Sequence, residues 1–130
     1  MKGIPWITYW MATLVVAALF AVPGAALVAK APHFADEMGR LGYPGYFLTL
    51  LGVFKLAGAA VILVPRLPVL KEWAYAGMSF DIGGAIFSHV SVGDPLSAIA
   101  MPAFIAVLLT LSWVLRPAGR RPAPLNPAVV

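Results

Sequence analysis

Cysteine is absent from this 130-residue sequence. That excludes disulfides, thiol redox relays and cysteine-held iron–sulfur clusters, and with them a quinone-linked dithiol enzyme. Charge is scarce as well: 11% of residues are charged, against roughly 25% in an average soluble protein. A water-facing surface cannot be built from so few, so lipid has to cover most of the exterior. Nine basic residues against five acidic ones leave a net charge of +4. Most of the basic residues sit singly at segment ends, which fits topology signals better than a phosphate-tracking patch, and no nucleic-acid partner is expected. Nucleotide and haem motifs are missing, so no cofactor is expected. His33, Asp36 and Glu37 could imitate a metal site, but nothing in the sequence fixes their geometry, and no metal is expected.

Apolar residues fill the space that charge leaves, at 62% of the chain. A spanning helix needs about 20 mostly apolar residues, because hydrocarbon about 30 Å thick is crossed at 1.5 Å per residue. Four stretches qualify: 6–27, 46–64, 73–92 and 96–115. The reading is an all-α membrane protein, a four-transmembrane-helix antiparallel bundle over residues 1–116, followed by a Pro/Arg-rich tail over 117–130. Pro65, Pro68, Pro95 and Pro117 lie just outside the spans, where proline costs a helix least. Pro23 and Pro102 lie inside and predict kinks. Trp6, Trp10, Trp73 and Trp113 fall near span ends, as an interfacial belt would place them. Lys2, the first apolar run and Ala29-Lys30-Ala31 imitate a secretory signal, but the run exceeds a signal core, so the span is expected to remain.

Lys2, Arg66, Lys71, Arg116, Arg120 and Arg121 fall on one side of these spans, and only Lys30 and Arg40 on the other. Positive-inside bias then puts both termini in the cytoplasm, of a plasma (inner) membrane protein with a mobile cytoplasmic tail. In the first outer loop Phe34, Met38 and Leu41 recur at helical spacing. This predicts a short extra helix within 31–41 that caps the bundle or lies on the membrane. Gly42-Tyr43-Pro44-Gly45 should form the bend that follows it.

Three ionisable side chains fall within spans: Lys55, Asp81 and His89. A lipid-facing charge at a helix centre costs about 2.5–3.5 kcal/mol, so each should face the bundle interior and find a partner. Lys55 lies ten residues before Pro65 and Asp81 ten after Lys71, so each stands about 15 Å above the inner boundary. On antiparallel neighbours this matches their depth with opposite sign and predicts an interior ion pair. Such a pair could merely fix packing, since desolvation can exceed the Coulombic gain; an intramembrane ionisable residue more often marks function. Ser88, seven positions beyond Asp81, shares its stripe within about 20°, and His89 flanks it by about 80°. His89 reads either as part of that site or as an interfacial polar residue. Gly52, Ala57, Gly58, Ala59 and Ala60, with Gly77, Gly83, Gly84 and Ala85, read as close helix packing, with a cleft for a flat or long apolar ligand as the alternative.

Several of these residues occur in an ordered set: Leu41-Gly42-Tyr43-Pro44, Leu51-Gly52-Val53-Phe54-Lys55, Pro65-Arg66-Leu67-Pro68, Leu70-Lys71-Glu72-Trp73, Phe80-Asp81, Gly84-Ala85, Ser88-His89 and Gly93-Asp94. With that set the sequence resembles the DoxX-like family of small four-span membrane proteins over about residues 6–116. The wider family takes its name from a subunit associated with a quinone-reducing thiosulfate oxidoreductase, and it includes a receptor chaperone. The resemblance implies a fold rather than a reaction, and it groups Lys55, Asp81, Ser88 and His89 as the polar positions. The leading expectation is a module that binds a lipophilic molecule, quinone-like or lipid, as an accessory or assembly subunit. Lys55 and Asp81 would hold its head, beside Ser88 and His89. The second is an enzyme with Asp81 or His89 as base and Lys55 as charge stabiliser. The third is a ligand-free scaffold or chaperone. The expected partners are the lipid bilayer, a lipophilic small molecule, and either further copies of the chain or another membrane protein.

Overall fold

The computed structural model describes residues 3–124 and 128. Lys2, one of the residues behind the orientation argument, and tail residues 125–127, 129 and 130 lie outside the described residues. Among the described residues there are five α-helices, one 3-10 turn and no strand. The helices are α1 (Ile4–Val28), α2 (Pro32–Arg40), α3 (Gly45–Leu63), α4 (Pro68–Ser91) and α5 (Leu96–Val114), and the turn is Ala118–Arg120. Three of them, α1, α3 and α5, are long and apolar enough to cross a membrane. The chain is therefore an all-helical membrane protein. The 24-residue α4 falls short on apolarity rather than length, because Asp81, His89 and the serines at 79, 88 and 91 dilute its hydropathy.

Chain punctuation explains the helix ends. Lys30, Gly42 and Gly93, which follow α1, α2 and α4, all take left-handed φ values of 54°, 92° and 77°. Each lets the next amide reach back to a carbonyl five residues earlier: Ala31 to Ala26, Tyr43 to Met38, and Asp94 to His89. Glycine does this without strain at 42 and 93, whereas Lys30 carries a Cβ there. The start of α4 differs from expectation. It begins at Pro68 rather than 73, with proline in its first turn, where a missing amide proton is harmless.

Neighbouring long helices run in opposite directions, as their cross-contacts require. Thr13 Oγ1, early in α1, lies 2.6 Å from Ser112 Oγ, late in α5. Tyr75, early in α4, reaches the same Ser112 oxygen at 2.7 Å. Late in α1, Gly24 meets Gly52 of α3, where an added Cβ on Gly52 would stand 2.7 Å from the Gly24 carbonyl oxygen. Val16, Phe20, Ile62, Tyr75, Met78, Ile82 and Leu109 form the buried centre. Outside, Ile4, Phe80, Phe87 and Leu96 stand exposed, an apolar exterior suited to lipid.

At the end that carries the α3–α4 loop the last carbonyls of α3, which have no partner within the helix, are capped by cations. Lys71 Nζ donates to Val61 O at 2.7 Å and also to Val64 O. Arg120 donates to Ile62 O at 2.9 Å and to Leu63 O at 3.1 Å. Lys71, read in the sequence as a topology signal, is fully buried. Beyond α5 the chain turns back through Arg120, and Arg121 donates to the Val114 and Arg116 carbonyls. Orphan carbonyls at two helix ends attract the guanidinium groups, which composition alone does not reveal.

Candidate functional site

Glycine sets the spacing on which the site depends. A Cβ on Gly24 would lie 2.9 Å from Lys55 Cβ, so α1 rests directly against the base of the lysine. Lys55 Nζ then stands 4.6 Å from the Phe20 ring centroid of α1, a cation–π distance, and donates to Asp81 Oδ2 at 2.6 Å. Both side chains retain 16% exposure, so the pair is not sealed in the core.

Two clefts meet at that pair. The lower one, of about 640 Å³, lies between α3 and α4 along Gly58, Val61, Trp73, Gly77 and Met78. Exposed Phe54, Trp73 and Phe80 stand at its rim. The other, at the α2 end of the molecule and hereafter the outer cleft, has about 300 Å³ and is lined by Phe34, Met38, Tyr43, Phe47, Ser88 and His89 among others. Leu51, Lys55, Phe80 and Asp81 line both. A third cleft, of about 570 Å³, separates α4 from α5 along Tyr75, Gly83, Thr110 and Trp113.

The small residues of α4 differ from their expected packing role. A Cβ added at Gly77, Gly83 or Gly84 would meet nothing within 4 Å. Each of the three lines a different cleft. Close packing is found instead at Gly52 with Gly24, at Gly58, whose added Cβ would meet Met78 Cε at 3.2 Å, and at Ala59, which is buried in the core.

Polar order in the outer cleft is built from residues far apart in sequence. Ser88 Oγ donates to Gly84 O at 2.8 Å and lies 2.5 Å from Tyr43 Oη. The Tyr43 ring stacks on Phe47 at 4.8 Å. His89 Nδ1 lies 2.6 Å from Asp94 Oδ2. Arg40 spans both Asp94 oxygens at 2.9 and 2.8 Å and both Glu37 oxygens at 3.1 and 2.7 Å. The Arg40 hydrogen bonds, with a further one from His89, hold the Asp94 carboxyl down at about 2. Arg40 also lowers Glu37, and both carboxylates raise Arg40. The network ties α2 to the turn after α4. Glu37, His89 and Asp94 bring three potential ligand atoms within 4.8 Å of one another, but the Arg40 guanidinium already binds both carboxylates. The other acidic residue of the loop, Asp36, is exposed, and His33 packs edge-on against Phe34 at 5.4 Å.

Lys55, Asp81, Ser88 and His89 therefore line one cleft. A family model described as the DoxX-like family matches residues 11–112. The chain belongs to the DoxX-like family. No curated protein and no solved structure matches it. The matched span of this DoxX-like protein takes in every residue that lines the two joined clefts, and it leaves the returning tail outside. Sequence reasoning passed over Phe20, Gly24 and Tyr43 as site residues and treated Asp94 and Arg40 only as loop positions. Tyr43 carried a signal, as an aromatic hydroxyl beside a proline turn. Gly24 carried one too, as the single glycine of the first apolar run, set beside Ala25 and Ala26.

Proposed function

We propose that this DoxX-like membrane protein binds a lipophilic molecule, quinone-like or lipid, in the joined clefts and serves as an accessory or assembly subunit. Residues 1–116 form its membrane domain, a four-helix antiparallel bundle in which α4 is the fourth span. Both termini face the cytoplasm from the plasma (inner) membrane. The observation that carries the reading is the position of Lys55 and Asp81, in the shared wall of both clefts. A pair serving only to fix two helices would be enclosed by side chains. This one presents spare donors on the ammonium and a second carboxylate oxygen to a space able to hold a ligand head. The apolar lower cleft supplies room for a chain or ring system, and the open positions at Gly77 and Gly84 keep both spaces free.

Native mass spectrometry of the protein from lipid nanodiscs tests this. Wild type should retain a small apolar molecule, and Gly77→Leu, whose Cβ would meet nothing within 4 Å and whose side chain enters the lower cleft, should fold and lose it. Gly83→Leu, which projects into the α4–α5 cleft, should keep it. A folded Gly77→Leu variant that retains the same molecule overturns the reading. A second reading, acid–base chemistry on a hydrophobic substrate, draws support from the contact of His89 with Asp94, since a carboxylate on one ring nitrogen orients the other. It requires turnover of the retained molecule that His89→Ala abolishes.

A further inference from the structure

The proton inventory of the outer cleft restricts what it can bind. Ser88 commits its hydroxyl proton to Gly84 O at 2.8 Å. The short contact between Tyr43 and Ser88, 2.5 Å, must then use the Tyr43 proton, with Ser88 Oγ accepting. Both hydroxyl protons are spent, and what Tyr43 has left to offer is an oxygen lone pair. His89 reaches the same condition by a different route. Asp94 is held as a carboxylate by Arg40 on both oxygens, and a carboxylate can only accept. Its 2.6 Å contact with Nδ1 therefore places the proton of the neutral ring on Nδ1. Asp94 lies outside the lining of the cleft while His89 is part of it, so the edge presented to the cleft carries the bare Nε2. The upper part of the cleft thus offers acceptors from Tyr43, which is part of α2's following turn, and from His89 on α4.

From this we infer that the outer cleft recognises an uncharged lipophile by a hydroxyl group that donates to His89 Nε2, beside the spare Tyr43 Oη lone pair, with Asp94 as the positioning residue that sets the acceptor. The inference rests on the proposed binding role and names the class of head group. A carbonyl head would face lone pairs at this end and find donors only at Lys55, on the floor. The 300 Å³ space admits a compact head, and the shared wall at Leu51 and Phe80 lets an apolar chain continue into the lower cleft. The stacked Tyr43 and Phe47 rings add a flat wall that also suits a phenol.

Matched probes test it: farnesol against farnesyl methyl ether, and 4-nonylphenol against its methyl ether, bound to the full chain in nanodiscs. Each ether keeps shape and apolarity and lacks the proton. In at least one pair the wild type should bind the hydroxyl compound about tenfold tighter, the scale set by leaving a buried acceptor unpaired. The pair that discriminates identifies the carrier as chain alcohol or phenol. His89→Phe should reduce that ratio to about twofold or less while still binding the ether, a selectivity change that loss of packing alone would not give. In ¹⁵N-histidine-labelled protein the neutral His89 ring should show a protonated Nδ1 and a bare Nε2; the opposite tautomer overturns the inference. Equal binding of alcohol and ether by wild type, with both lost in Gly77→Leu, overturns the hydroxyl preference and leaves the cleft reading standing. Binding of none of the four probes overturns both.

Discussion

Lys55 and Asp81 owe their geometry to smaller neighbours. Gly24 and Gly52 bring α1 against α3 closely enough that the lysine stem is braced and its head meets both Phe20 and Asp81. A Cβ on Gly52 would stand 2.7 Å from a backbone oxygen, which cannot yield as a flexible side chain could. Gly52→Ala should therefore lower stability by about 1–3 kcal/mol. Gly77→Ala, which projects into open space, should be neutral or stabilising by up to about 1 kcal/mol through helix propensity. Unfolding of the two variants in one detergent, followed by circular dichroism, checks the contrast. Removing the acid, as in Asp81→Ala, leaves the lysine uncompensated and should cost about 3 kcal/mol. Exchanging the charges, Lys55→Asp with Asp81→Lys, should restore stability without restoring ligand retention. A swapped protein that is both stable and fully ligand-bound would refute a role for the pair in binding.

Single elements are secured at their ends, and by opposite means on the two faces. At the α2 end the Arg40 network binds α2 to the turn after α4. Asp94 has its folded pKa at about 2, below the ordinary 3.8. Its contribution to holding α2 is therefore fully present above about pH 4 and is lost as pH falls toward 2. Protection of the α2 amides against hydrogen exchange, taken relative to their intrinsic rates, should fall across that window. Arg40→Met should let the Asp94 carboxyl return toward its ordinary value and should loosen α2 already at neutral pH. Exchange rates that match wild type in this variant would remove the latch. At the opposite end Lys71 and Arg120 cap the α3 carbonyls. Lys71→Met leaves two acceptors bare and should cost about 2 kcal/mol, read from thermal unfolding.

The whole molecule has an arrangement that the lack of native cysteine makes easy to probe. Asp36 and Arg66 are both exposed and sit at opposite ends of α3, whereas Lys71 is buried and would label poorly. Cysteines introduced at 36 and 66 should react with an impermeant maleimide from opposite sides of the membrane, position 66 from the cytoplasm. Labelling of both from one side would overturn the orientation, and with it the placing of the outer cleft away from the cytoplasm.

Hydropathy and punctuation are local properties, so whatever depends on them is written in the chain itself. The apolar runs of α1, α3 and α5, the short helix at Pro32–Arg40 and the turns at Gly42 and Gly93 were all legible from one stretch of chain at a time. Counting rise per residue also brought Lys55 and Asp81 to one depth, because depth along a helix is a linear quantity. Rotation about the helix axis and distance between axes are not linear in this way, and they are set only when the helices come to rest against one another. Whether Gly77 and Gly84 meet a neighbour or face a space depends on where α3 and α2 come to rest. Thr13 and Ser112, or Arg40 and Asp94, are brought together by how whole helices pack. The same holds for the protons of Tyr43, Ser88 and His89: each residue type can donate or accept, and only the partner that folding supplies determines which remains.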